Sequence, residues 1–195
     1  MIDPWLPDGE GHTPLTEEDR MGLIPSYIGT RGDLFDAEER NIAHALLRQP
    51  PTVADLLDDL YLRNLHRAMF GQVWQWAGQY RLRQTNIGIE PDRIPSAVRL
   101  LVGDVAAWVE HQTYEPDETC VRFHHRLVSI HPFPNGNGRH SRICADYLRI
   151  ALGETPFSWG MHLAVTTDQL RRCYHAALQA ADAGEIRELM IFARS

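Results

Sequence analysis

The residues best suited to chemistry in this 195-residue sequence fall in one short stretch, His131-Pro132-Phe133-Pro134-Asn135-Gly136-Asn137-Gly138-Arg139, followed by Arg142. It links two amphipathic runs, one ending near Ile130 and one starting near Asn137 or Gly138, and a plain link between packed helices has no need of this composition. Glycines at 136 and 138 let the backbone approach a ligand closely. A helix start just beyond them points unpaired N–H groups and a partial positive charge outward, which makes an anion site. Arg139 and Arg142 sit three apart, hence on one face of the second helix. Two guanidiniums beside a helix N-terminus match a polyphosphate better than a lone carboxylate. His131, at the start of the link, can face the same anion and act as a general base near neutral pH. Phosphate cradle, charge clamp and base are the parts of a phosphoryl or nucleotidyl transferase.

Composition narrows the alternatives. The net charge of −7 argues against a general nucleic-acid surface, whose affinity comes from neutralising phosphates. The 44% hydrophobic content is ordinary for a globular domain, and no run of about 18 apolar residues is present to span a bilayer. Met1 to Gly11 carries acids and prolines where a secretory signal needs a basic start and an apolar stretch, so a cytoplasmic protein is expected. Cys120, Cys144 and Cys173 are odd in number and widely spaced, which points to reduced, packed thiols. All 19 Lys+Arg residues are arginine, which excludes a phosphate-binding loop ending in Gly-Lys-Ser/Thr and a Schiff-base lysine. His124 and His125 point to different faces of a helix, with no acidic ligand at a paired spacing, so they do not read as metal ligands beside His131. The tryptophans at 74, 76, 108 and 159 read as packing residues.

Around the link the sequence predicts a nearly all-helical order. Residues 1–32, with Thr13-Pro14 and Ile24-Pro25, read as an irregular arm. A first helix runs from an N-cap at Asp33 to about Arg48, and a second from about Val53 to Phe70 with Leu56, Leu57, Leu60, Leu65 and Met69 as its buried stripe. Residues 71–80 read as helix end and turn packed under the core. Asn86, Gly88 and Pro91 punctuate short apolar stretches, as a β-hairpin or an exposed loop would. Helices follow over about Ser96–His111, Pro116–Ile130, Asn137–Leu152 and Thr167–Ala183, with a short one after Gly184. The order predicts a mainly α bundle with one short hairpin, and no nucleotide-binding parallel sheet.

His131 to Arg142 resembles the signature of the Fic (Fic/Doc) family, His-Pro-Phe-x-(Asp/Glu)-Gly-Asn-Gly-Arg-x-x-Arg, missing at one fixed position, and the helical order agrees over roughly residues 53–183. The whole chain is also similar to the bacterial Fic subgroup called mobile mystery protein B, through Gly22-Leu23-Ile24-Pro25-Ser26 and Thr30-Arg31-Gly32-Asp33-Leu34. The resemblance implies a Fic-type helical bundle over 53–195 with a β-hairpin flap at about Arg83–Ile94, preceded by an arm and a candidate regulatory helix over 1–52. It implies AMP transfer from ATP to a hydroxyl of a target protein. His131 would deprotonate the hydroxyl, and Gly136, Asn137 and Gly138 would line the phosphate cradle. Arg139 would neutralise the departing phosphates, Arg142 would hold the terminal one, and Phe133 would anchor the loop. The flap would align the target by strand addition.

Asn135 stands where the family has its metal-binding acid. An amide oxygen lacks the charge that magnesium prefers, so Mg2+ binding at Asn135 is expected to be weakened. That leaves two further readings: a nucleotide-binding module with little turnover, and transfer of a different phosphate-linked group. Some family members carry an upstream glutamate that pairs with the motif's second arginine. The usual Ser/Thr-x-x-x-Glu-Gly/Asn pattern is absent, and Glu38 or Glu39, pairing with Arg142, are the candidates against a plain solvated helix face. The subgroup resemblance implies a small helix-turn-helix protein encoded nearby as a partner. The net charge and the lack of a long apolar run predict no nucleic-acid and no membrane partner.

Overall fold

In the computed structural model of the chain, residues 20–195 are described. The expectations for Met1–Gly11 and Thr13-Pro14 lie outside them. Eight α-helices lie wholly within this range: α1 (Arg31–Ala45), α2 (Val53–Leu56), α3 (Asp59–Phe70), α4 (Ile94–Glu110), α5 (Pro116–Ile130), α6 (Asn137–Ala151), α7 (Thr167–Asp182) and α8 (Ile186–Arg194). None of the helices among the described residues is long and apolar enough to cross a membrane.

The centre of the bundle is the α5–α6 pair. Helices α4 and α8 pack on α5, α2 and α3 pack on α6, and α1 packs on α3. Phe123 and Leu127 of α5, Cys144 and Leu148 of α6, Leu101 and Val105 of α4 and Leu189 of α8 form the buried contact between them. The link joining α5 to α6 therefore sits at one end of the most heavily packed pair. Cys120 and Cys144 are buried free thiols as expected, whereas Cys173 is exposed on α7.

Three local differences from the sequence expectation have identifiable causes. Helix α1 is capped three residues earlier than Asp33. The Thr30 hydroxyl accepts the Asp33 N–H at 3.2 Å, and the Asp33 carboxylate accepts the Thr30 N–H at 2.9 Å, a reciprocal capping box. The expected Val53–Phe70 helix breaks at Leu57, because Asp58 starts a new helix by accepting the Leu60 N–H at 3.0 Å. That break turns Leu60 out of the stripe to 57% exposure, while Leu56, Leu65 and Met69 stay buried.

The hairpin is the third difference. Residues 81–90 hold no strand, and Pro91–Arg93 forms a 3-10 turn. Side chains take the carbonyls that a ladder would use. Arg81 donates to the carbonyls of Arg83 and Ile89, Gln84 to Gly88, and Thr85 to Ile87. An isolated two-stranded hairpin is marginal in any case.

The described part of the arm, from Arg20 onward, is less irregular than expected. Ile24 N–H donates to Val73 O and Gln75 N–H to Gly22 O, both at 2.8 Å, so the chain before α1 bridges onto the turn that holds the buried Trp74.

Burial pushes four imidazoles well down from their usual 6.5: His124 to about 3, His131 and His140 to about 4, and His66 in the same direction. A folded-state pKa below the unfolded value gives stability that is present above pH 6.5 and is lost as pH falls toward the folded value. Asp146, pushed up to about 6 by burial, has the opposite sign and offsets part of this loss between pH 6 and 4. Each histidine contributes a slope of up to about 1.4 kcal/mol per pH unit. Thermal melts should therefore show a midpoint falling steadily from pH 6.5 to 4.5; a flat midpoint over that range is incompatible with neutral buried imidazoles.

Candidate active site

Helix α5 ends on His131, which adopts a left-handed conformation with φ 53° and ψ 61°. For a residue with a Cβ this costs about 1–2 kcal/mol, so other contacts must hold it. The His131 carbonyl accepts from Arg81 Nε at 2.7 Å and the Pro132 carbonyl accepts the Arg81 N–H at 2.9 Å. Beyond them Phe133 is fully buried, stacked on His66 with ring centres 3.8 Å apart and meeting His140 edge-on.

The turn is then closed by its own side chains. Asn137 Oδ1 accepts the Phe133 N–H at 2.9 Å while its Nδ2 donates to Phe133 O at 2.8 Å, all of it buried. His66 holds the loop from beneath. Its Nδ1 accepts the Gly78 N–H at 3.0 Å, which leaves the proton on Nε2 to donate to Asn135 O at 3.0 Å. Gly136 has φ 78°, and a Cβ there would lie 2.6 Å from the Phe70 ring. Only glycine fits both conditions.

Helix α6 begins immediately after, with no side chain capping its N-terminus. The first intrahelical bond is His140 N–H to Gly136 O at 2.9 Å, so the N–H groups of Asn137, Gly138 and Arg139 have no partner within the helix. The two arginines near this end rest on different aromatic rings. Arg139 lies over the Phe70 ring at 4.9 Å, and its Nη2 meets Glu38 Oε2 at 2.6 Å. Arg142 lies over the Tyr174 ring at 5.4 Å, and none of the carboxylates among the described residues is within ion-pair distance of it.

Glu38 is buried at 4% exposure and also accepts Trp74 Nε1–H at 2.7 Å through its other oxygen. Glu39, half exposed, reaches Arg139 only at 3.6 Å. The expected partner of an upstream glutamate was Arg142; the structure pairs Glu38 with Arg139. Helix α1 packs on α3, next to Phe70, and this places its buried face on the Arg139 side of α6.

His131 is 4% exposed, with Gly88 of the 81–90 segment packed directly against it. Burial, and then the charge of Arg81, pull its pKa to about 4, opposed by a backbone hydrogen bond at Val128. The imidazole is neutral at physiological pH. One loop thus carries a neutral imidazole at its start and a bare helix N-terminus with two arginines at its end.

A sequence model of the Fic/DOC family matches residues 56–148. This chain carries a Fic/DOC family domain. It is 28% identical over 183 residues to a protein from Aedes aegypti called protein adenylyltransferase Fic, covering 90% of this chain and 34% of the relative. The chain thus spans about a third of the length of the curated relatives it matches. Its fold is that of the N-terminal Fic domain of a Bartonella quintana cell filamentation protein solved with bound ADP, at TM-score 0.66 and 20% identity, covering 87% of this chain and 86% of that one. It is equally that of a Bartonella tribocorum effector solved with bound AMPPNP, at TM-score 0.67 and 17% identity, covering 90% of this chain and 96% of that one.

Within the Fic domain, the sequence motif and the folded loop agree on position and differ on detail. His131, Asn135, Gly136, Asn137, Gly138, Arg139 and Arg142 all fall on the loop or the first turns of α6. The Asn137 side chain, however, faces inward as a staple, leaving only its backbone N–H for an anion. Gly138 has ordinary van der Waals room for a Cβ, 3.7 Å from Tyr174 Oη, so the ligand-free fold alone does not require glycine there.

Asn135 Oδ1 is turned onto the Gly136 N–H at 2.7 Å. No group of three or more His, Cys, Asp or Glu among the described residues is placed to hold a metal ion. In this conformation the Asn135 amide oxygen is engaged by the loop's own backbone, and it brings no charge to a divalent cation.

Sequence reasoning missed His66, Phe70, Arg81 and Trp74 as supports of the site. The signal for His66 was a polar ring on the apolar face of α3, one helical turn before Phe70. For Arg81 there was only its place at the head of a Gly- and Pro-punctuated loop.

Replacing Asn137 by alanine leaves the Phe133 N–H and C=O buried without partners, at about 1–3 kcal/mol for each group. Urea unfolding should show the loss directly. Stability within about 0.5 kcal/mol of the native chain would mean that the staple does not hold the turn.

Proposed function

We propose that this Fic domain transfers AMP from ATP to a side-chain hydroxyl of another protein. The observation that carries the reading is the loop itself: a neutral His131 at one end, and at the other the uncapped N-terminus of α6 between Arg139 and Arg142. ADP and AMPPNP bound by proteins of the same fold support a nucleotide as the anion, and the names of the curated relatives support adenylyl transfer.

In this reading the N–H groups of Asn137, Gly138 and Arg139 receive the phosphates. Arg139 offsets the charge of the departing pyrophosphate, and Arg142 holds the terminal phosphate. The target oxygen bonds to the α-phosphorus, the bond from that phosphorus to the bridging oxygen breaks, and pyrophosphate leaves. The hydroxyl proton goes to His131. A conjugate acid near pH 4 is weak for a general base; polyphosphate beside the ring stabilises the imidazolium and moves the pKa toward neutrality.

His131→Ala should lower AMP transfer by roughly 10²–10⁴-fold with ATP affinity kept. Labelled-ATP transfer and calorimetry check the two halves separately, and near-full transfer by the variant overturns the assignment.

The same reading includes restraint by helix α1. Glu38 occupies the guanidinium that the leaving phosphates need, so the ligand-free chain is held in a low-activity form. Glu38→Gln keeps an acceptor for Trp74 while removing the charge, and should tighten ATP binding and raise self-labelling. Glu39→Gln, at the longer contact, should do much less. Equal ATP affinity in the native and Glu38→Gln chains would refute the restraint.

We further place the chain in the mobile mystery protein B subgroup, on the two N-terminal segments quoted above, as a cytoplasmic protein with a small helix-turn-helix protein encoded beside it. Sequencing of the flanking genes checks this directly, and the absence of such a gene would count against it.

A further inference from the structure

We propose that Arg81 is a positioning residue for His131, fixing the imidazole by binding the end of α5 and the 81–90 flap into one unit. The inference rests on the reading of His131 as the general base. Arg81 is 3% exposed, and each nitrogen of its fork has a backbone acceptor. Nε donates to His131 O at 2.7 Å, Nη1 to Arg83 O at 2.9 Å, and Nη2 to Ile89 O and, at 3.4 Å, to Ile130 O. Its backbone N–H takes Pro132 O as well. Three successive carbonyls, 130 to 132, are therefore gathered by one residue.

Ile130 O is one of the carbonyls that the end of α5 leaves open, and those of His131 and Pro132 follow directly after it. The guanidinium takes the first two and the Arg81 backbone N–H the third, and the partial negative charge of a helix C-terminus accommodates the guanidinium's own charge. None of the carboxylates among the described residues lies within ion-pair distance of it, although Glu90 raises its pKa against the lowering effect of burial. From the other side Gly88, at φ 100°, closes the unit. A Cβ there would lie 2.6 Å from His131 Cβ and 2.7 Å from Arg81 Nη2. The catalytic ring thus sits between a guanidinium on its backbone and a glycine on its Cβ.

Three influences on the charge of His131 stand out. Arg81 from the head of the flap disfavours the imidazolium, the α5 backbone at Val128 favours it, and Glu90 acts through Arg81. Lysine at 81 would keep the charge but lose the planar fork; glutamine would lose the charge as well. The two substitutions therefore separate charge from geometry.

The experiment uses the full chain as Arg81→Lys, Arg81→Gln and Gly88→Ala, with kcat and KM from labelled ATP, ATP affinity from calorimetry, and the His131 ring titrated by NMR. Both Arg81 variants should keep ATP affinity and lose roughly 10²-fold in kcat, the scale of a misplaced reacting group. The His131 midpoint should rise in Arg81→Gln and stay near the native value in Arg81→Lys. Gly88→Ala, which keeps the Arg81 side chain but crowds both its Nη2 and His131, should lower kcat with ATP affinity kept, and it carries the test if the Arg81 variants do not fold. Native kcat in Arg81→Gln or Gly88→Ala, or parallel loss of kcat and ATP affinity, overturns the role. So does a His131 titration that is the same in all chains. The titration needs no turnover, so a native chain that transfers no AMP would sink the transferase reading while Arg81 was still judged on the ring.

Discussion

The demand that organises this fold is that three N–H groups at the start of α6 stay unpaired. Buried or half-buried backbone donors without partners are costly, so a protein that keeps them open for a ligand must satisfy nearly everything around them. The loop does so from inside. Asn137 closes the turn on Phe133, His66 takes Asn135 O, and Asn135 Oδ1 takes the Gly136 N–H. Phe133 and Phe70 fill the space beneath, and the α5–α6 contact keeps the two ends of the loop fixed. The openness of α6 is therefore a property of the whole centre of the bundle.

With no lysine in the chain, each positive charge near the site is a planar guanidinium. That choice suits the three positions where a charge meets fixed geometry: Arg81 on carbonyls, Arg139 between a phenyl ring and a carboxylate, and Arg142 over a tyrosine. The histidines do the opposite work. His66, His124 and His140 are buried and held neutral, and act as shaped hydrogen-bonding rings. His131 shares their burial and differs in facing the flap.

Much of this was legible in the sequence, because the relevant signals are local. Glycine, proline and asparagine between two amphipathic runs mark a loop and a bare helix start whatever surrounds them, and Pro116–Ile130 could be bounded to the residue. What could not be read depended on distant segments. Glu38 meets Arg139 across 101 positions, and nothing near either one says so. The Asp58 cap that breaks the second helix sits in a run that is equally good as continuous helix, and the flap lacks strands because Arg81, Gln84 and Thr85 spend their side chains on its carbonyls. Asn137 shows the limit most clearly: its place in the motif is evident, but whether its amide faces a ligand or the loop's own backbone is decided by the three-dimensional turn.

Glu38 gives one oxygen to Trp74 and the other to Arg139, and the backbone on both sides of Trp74 is bonded to Gly22 and Ile24. These contacts form a single chain from the segment before α1 to the phosphate end of α6. The energies of its links are not separable: each carboxylate oxygen is oriented by what the other one holds, so perturbing the indole also changes the partner offered to the guanidinium. A substitution at Trp74, remote from any nucleotide, acts on Arg139 as well, and its effect will not sum with one made at Glu38.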